Sequence, residues 1–99
     1  MLHTVNKSPF DHNSFETCLK FARPGSAVLL IEDGVYAAAA DTAVSKRVQE
    51  ALKSVSIYAL KPDVEARGMQ NRVMDGVRLV DYAGFVDLVV EYNAVQSWL

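Results

Sequence analysis

Short, continuously apolar runs alternate along this chain with segments whose apolar residues recur at helical spacing, and that alternation constrains the fold more than any other feature. AVLLI at 27–31 has no polar residue to turn toward water, the pattern of a strand covered on both faces of a parallel sheet. LHTVN at 2–6, SIYAL at 56–60 and VRLV at 77–80 read as three further strands. Between the first two, Phe15, Cys18, Leu19 and Ala22 lie at i, i+3, i+4 and i+7, so residues 12–22 read as a helix. Asp11, Asn13 or Ser14 can cap its start, and Pro24-Gly25 ends it.

After Glu32-Asp33-Gly34, VYAAAA reads as a short helix because alanine favours that state. Asp41-Thr42 caps the next helix, which turns Val44, Val48, Ala51, Leu52 and Val55 inward. Lys61-Pro62-Asp63 opens a short helix that closes at Gly68, residues 69–76 read as a loop, and Asp81 caps a last helix bearing Tyr82, Phe85, Val86, Val89 and Val90. Trp98 and Leu99 close the chain.

This order predicts one α/β domain over residues 1–99: three layers, α/β/α, around a small, mostly parallel sheet of about four strands, flavodoxin-like or Rossmann-like. Helices must cover both faces, so the winding has to reverse. The expected strand order is 2-1-3-4, with a crevice setting Asn6, Lys7 and Ser8 opposite Lys61, Pro62 and Asp63.

Composition narrows the function classes. Lysine and arginine are scattered and the net charge is -2, so no basic stripe can neutralise phosphates, and direct nucleic-acid binding is not expected. The amino terminus lacks a basic region followed by an apolar run, and no apolar stretch is long enough for a bilayer. One cysteine forms no internal disulfide framework, so the chain reads as cytoplasmic and not membrane-bound. The 51% hydrophobic content is high for 99 residues and suggests that some of it covers a partner.

No GxGxxG or GxxxxGK[ST] occurs, and no second cysteine completes a zinc site, so neither a cofactor nor a metal is expected. His3 falls in a strand and reads as packed and hydrogen-bonded; His12 reads as an exposed helix-start residue. Glu32-Asp33 could suggest a phospho-acceptor pocket, but acidic residues before glycine are ordinary turn formers. Tyr36 and Tyr82 are explained by packing or subunit contacts. A small-molecule or phosphate site near Ser8 and Lys61 would rest on fold alone. Cys18 is the one plausible reactive residue, yet it shares an apolar helical stripe and lies a turn inside its helix, beyond most of the dipole effect.

LHTVNKSPF, LLIEDGVYAA, YALKPDVEARG, VDYAGFVDLVVE and the final VQSWL resemble, in that order, the DsrH/TusB family of DsrE-like sulfur-relay proteins. SFETCLKF is similar to the DsrH-type helix, in which a cysteine occupies the place of Cys18, so the resemblance leans toward DsrH of sulfur-oxidising bacteria. It implies a DsrE-like fold and a sulfurtransferase-complex subunit that is not an autonomous enzyme. The implied partners are DsrE-like and DsrF-like (TusD/TusC-like) subunits in a heterohexamer, and a DsrC/TusE-like carrier that accepts persulfide sulfur. The implied end point is dissimilatory sulfur oxidation, with tRNA wobble-uridine 2-thiolation and a purely scaffolding subunit as the alternative. Cys18 is the candidate persulfide carrier, and thiolate attack on an outer persulfide sulfur needs only a nucleophile and access.

Overall fold

The computed structural model describes all of residues 1–99. The elements run β1 (Leu2–Val5), α1 (Ser14–Phe21), β2 (Ala27–Leu30), a 3-10 helix (Glu32–Ala38), α2 (Ser45–Ala51), β3 (Ser56–Leu60), α3 (Lys61–Ala66), β4 (Arg78–Val80), α4 (Tyr82–Tyr92) and β5 (Val95–Trp98). The α/β/α reading therefore holds, with one more strand than expected. Every strand pair is parallel, and the spatial order is β4-β3-β2-β1-β5.

That order corrects the expected 2-1-3-4. The sheet does reverse its winding, but late. From β1 to β4 each strand is laid beside the last in one direction, and right-handed crossovers then put the intervening helices on one face. Only the β4-to-β5 connection runs back, so α4 crosses the opposite face and delivers β5 to the free side of β1. The two apolar clusters follow this division. The larger packs Val5, Val28, Leu30 and Ile57 of the sheet against Phe15, Cys18, Val35, Val48 and Val64 of the helical segments. The smaller sets Leu2, Ala27 and Leu29 against Leu88 of α4, with Ile31, Tyr58, Val80, Phe85 and Tyr92 packed around them.

Why VQSW becomes a strand is visible locally. Asn93 ends α4 in the left-handed region, at φ 56°, its N–H donating to the Val89 carbonyl, and the chain leaves extended. β5 is fastened to β1 by side chains as well as backbone: Thr4 and Ser97 hydroxyls meet at 3.3 Å, and the Trp98 Nε1–H donates to His3 Nδ1 at 3.0 Å. His3 is accordingly buried and hydrogen-bonded, and His12 is exposed.

One further reading is adjusted and another holds. Glu32-Asp33-Gly34 is the first turn of the 3-10 helix rather than a separate turn, because Gly34 lies so close to β1 that a Cβ there would collide with the Val5 carbonyl. Residues 69–76 are an irregular loop, as expected, anchored by Met69 and Met74, which are buried in the main cluster. The segment is pinned by an isolated antiparallel bridge between Ala39 and Val73. No helix is long and apolar enough to cross a membrane.

Candidate functional site

Cys18 sits in the middle of α1 and points into the main cluster, with no exposed surface. The sequence spacing of Phe15, Cys18 and Leu19 is the reason, since all three are the buried residues of that helix. Glu16, on the same helix, pairs with Arg47 of α2 at 3.1 Å, so its charge is turned away toward a cation on another element. Burial pushes the Cys18 thiol up to about 12. At neutral pH the thiolate is therefore a minute fraction, and a thiol without thiolate character is a poor nucleophile. In this conformation Cys18 is a core residue.

The carboxyl end of the sheet is arranged differently from the expected crevice. β2 lies between β1 and β3, which separates Asn6, Lys7 and Ser8 from Lys61, Pro62 and Asp63. Ser8 is buried and organises its own turn: its Oγ accepts from the Phe10 N–H and its carbonyl from the N–H groups of Asp11 and His12. Lys61 is exposed. The phosphate site built from Ser8 and Lys61 is thus not assembled. The Asn6 Oδ1 is a buried side-chain oxygen without a hydrogen-bond partner.

Instead the first turn of the 3-10 helix meets α3. The Glu32 N–H donates to Asp63 Oδ2 at 2.7 Å. Arg67 Nε and Nη2 both donate to Asp33 Oδ1, at 3.0 and 2.8 Å, and Arg67 Nη1 reaches the Asp63 carbonyl at 3.2 Å. The Arg67 guanidinium also lies over the Tyr36 ring, 5.9 Å from its centre, and its hydrogen bonding to Asp33 raises its pKa further. Glu32 takes a positive φ of 50° to make this connection. Arg67 was not singled out by sequence; the only signal was its place one turn beyond Asp63, capping the carboxyl end of α3. Beside this network Ile31, Glu32, Leu60, Asp63, Tyr82 and Phe85 line a shallow hollow of about 230 Å³.

A second hollow, about 360 Å³, lies at the amino end of the sheet between Met1, His3, Phe21, Arg23, Pro24, Gly25 and Ser26. His3 faces it with its Nδ1 already occupied by Trp98, which leaves the proton of the neutral ring on Nε2. Burial, and then the nearby amino terminus, lower the His3 pKa. Phe21 stacks on the Trp98 ring with centres 6.0 Å apart. Tyr82 is exposed and Tyr36 half-buried. The outer surface of α4 is apolar but uncovered: Tyr82, Val86 and Val90 are 61%, 60% and 73% exposed, and only Leu88 is buried.

Residues 7–95 match the family described as DsrH like protein. Relatives over the whole length carry the name TusB. The protein of Pectobacterium parmentieri is 40% identical across 99% of this chain and 100% of its own. That of Klebsiella pneumoniae is 36% identical over the same shares. Among solved structures, the ychN protein from E. coli superposes with a TM-score of 0.81 at 17% identity, covering 97% of both chains. Protein Tm0979 from Thermotoga maritima gives 0.66 at 26% identity, with 92% of this chain and 93% of that one covered.

Proposed function

The chain belongs to the DsrH family, and from that premise we propose that it is a non-autonomous subunit of a sulfur relay whose end point is 2-thiolation of tRNA wobble uridine. The observation that carries this reading is the full-length similarity to proteins named TusB, at 34–40% identity in the E. coli and Pectobacterium parmentieri relatives. The TusB relatives move the emphasis from dissimilatory sulfur oxidation, favoured by the resemblance of SFETCLKF, to the tRNA branch. In this proposal the subunit works with DsrE-like and DsrF-like (TusD/TusC-like) partners in a cytoplasmic heterohexamer that delivers persulfide sulfur to a DsrC/TusE-like acceptor.

Within the relay the chain acts as a scaffold and Cys18 as packing. The buried, protonated state of that thiol supports this, because outer-sulfur attack requires a thiolate that the acceptor can reach. The carrier reading of Cys18 requires α1 to lift the sulfur out of the core, or a partner to open it. It is motivated by Cys18 being the single cysteine.

Two measurements test the proposal. Deleting the gene should abolish 2-thiouridine in tRNA, scored by nucleoside mass spectrometry, and both the native chain and its Cys18→Ala variant should restore it. Unchanged 2-thiouridine in the deletion strain, with impaired sulfur oxidation, would overturn the tRNA end point. Incubation of the assembled complex with a persulfide donor, followed by intact mass, decides the role of Cys18. A gain of one sulfur on this chain, absent from Cys18→Ala, would make it a carrier.

A further inference from the structure

The outer edge of β5 is the longer of the two open edges of the sheet and leaves a run of backbone groups unpaired. The Leu2 N–H donates to the Ala94 carbonyl, and the register sets Leu2 opposite Val95 and Thr4 opposite Ser97. In such a parallel ladder Leu2 and Thr4 bond the residues flanking their opposite numbers. Ala94, Gln96 and Trp98 therefore turn their backbone groups to β1, while Val95, Ser97 and Leu99 turn theirs outward. The Ser97 carbonyl meets only the Gln96 side-chain amide, at 3.4 Å. The Leu99 carbonyl accepts from the Ser14 hydroxyl at 3.1 Å and keeps a second lone pair.

The sheet's two edges are protected unequally. β4 has three residues and opens with the exposed Arg78. Short length and charge are the usual means of discouraging strand addition. β5 has four residues, none charged and none proline, so nothing along it opposes another strand.

We propose that β5 pairs antiparallel with β5 of a second copy of this chain, about a two-fold axis at Ser97, joining the two sheets into one. The sequence around that residue is what selects a second copy. Side chains 95, 97 and 99 share one face of an extended strand. Val95 and Leu99 stand at equal distances on either side of Ser97, 46% and 82% exposed. Antiparallel pairing about Ser97 sets each Val95 against the Leu99 of the other copy, an apolar cross-strand pair made twice. On the other face Gln96 meets Trp98, whose ring already carries the exposed Phe21 against it. The surface is thus complementary to itself, and no like charges meet along the strand. This pairing goes beyond the relay reading and does not depend on it.

Sedimentation equilibrium of the full-length chain is expected to show a concentration-dependent monomer–dimer equilibrium. Hydrogen exchange at the Ser97 amide should slow by ~10-fold or more from the monomeric to the dimeric range, while Gln96 and Trp98 stay protected throughout. Ser97→Pro removes an outward N–H and the Thr4–Ser97 hydroxyl contact at 3.3 Å but leaves the backbone ladder to β1 and the Trp98–His3 bond in place, as edge prolines do, so it should yield a monomer with native Trp98 fluorescence. Should that variant fail to fold, charges decide. Val95→Lys with Leu99→Lys places like charges opposite one another and should weaken the dimer ~10-fold or more, whereas Val95→Lys with Leu99→Glu should restore it. A chain that is monomeric at every concentration overturns the proposal. So does a dimer whose Ser97 amide exchanges freely, or one indifferent to the charge pairs, which would place the contact on another surface or with another partner strand.

Discussion

Reaction of Cys18 with a thiol reagent gives the sharpest check on how this chain treats its one thiol. With the pKa at about 12 rather than the ordinary 9.0, the native thiolate fraction at pH 8 falls roughly a thousandfold below that of the unfolded chain. A more basic thiolate is intrinsically more nucleophilic, which with a Brønsted slope near 0.4–0.5 returns about fifteen- to thirtyfold. The ionisation effect alone therefore leaves the native thiol about thirty- to sixtyfold slower. The absence of exposed surface slows it further, because the reagent must wait for α1 to open. The assay is release of chromophore from an aromatic disulfide at pH 8, in buffer and in concentrated urea. A native rate within a few-fold of the urea rate would refute the burial argument and return Cys18 to the list of accessible nucleophiles. The same shift predicts a pH effect on stability. The folded pKa lies above the unfolded one, so the contribution is intact below pH 9 and is lost as pH rises toward 12. By pH 10 the native chain should lose about 1 kcal/mol relative to Cys18→Ala, measured as the difference between their urea unfolding curves at pH 8 and pH 10.

Other outcomes can be checked on the same protein. His3 has a lowered pKa, so the folded chain resists a proton that the unfolded chain accepts below about 6.5. Stability present above that value should fall as pH drops through it toward the folded pKa, and protonation should break the bond from Trp98, read as a change in the fluorescence of the only tryptophan. A thermal midpoint that is flat between pH 7.5 and 5.5 would refute this. Gly34→Ala drives a methyl into the Val5 carbonyl and is expected to cost about 3 kcal/mol or more; a loss under ~1 kcal/mol in urea unfolding would refute that packing. Glu32 holds a φ of 50° and keeps its N–H bond to Asp63 when the side chain is removed, so Glu32→Gly should be neutral or stabilise by up to ~1 kcal/mol. Arg67→Lys keeps the charge but loses the two-nitrogen grip on Asp33, and should destabilise by ~0.5–1 kcal/mol, against no change if the network is only a surface ion pair.

What the residues alone determine here is whatever local periodicity and burial dictate. AVLL and SIYAL carry apolar side chains on both faces and are strands in any context that covers them. Phe15, Cys18 and Leu19 share a helical face, so the burial of Cys18 was legible before any coordinates. The packed state of His3, the exposure of His12 and the parallel sheet were legible on the same grounds, whereas the resemblance to a sulfur-relay family was carried by the residue blocks themselves, from LHTVNKSPF to VQSWL, and not by their periodicity. The order of the strands was not, because alternation of strand and helix requires a reversal of winding without saying where it falls. That choice was made by α4. Its one deeply buried residue, Leu88, packs on Leu2, Ala27 and Leu29, which draws the helix over the otherwise bare face and lays Val95–Trp98 beside β1. The strand itself is a weak signal, four residues with no apolar run, and it exists through Asn93, the β1 ladder and the bond from Trp98 to His3. Tertiary structure likewise decided that β2 divides the expected crevice and that Arg67 joins Asp33 to Asp63. Both are contacts between residues distant in sequence, and no local pattern encodes them.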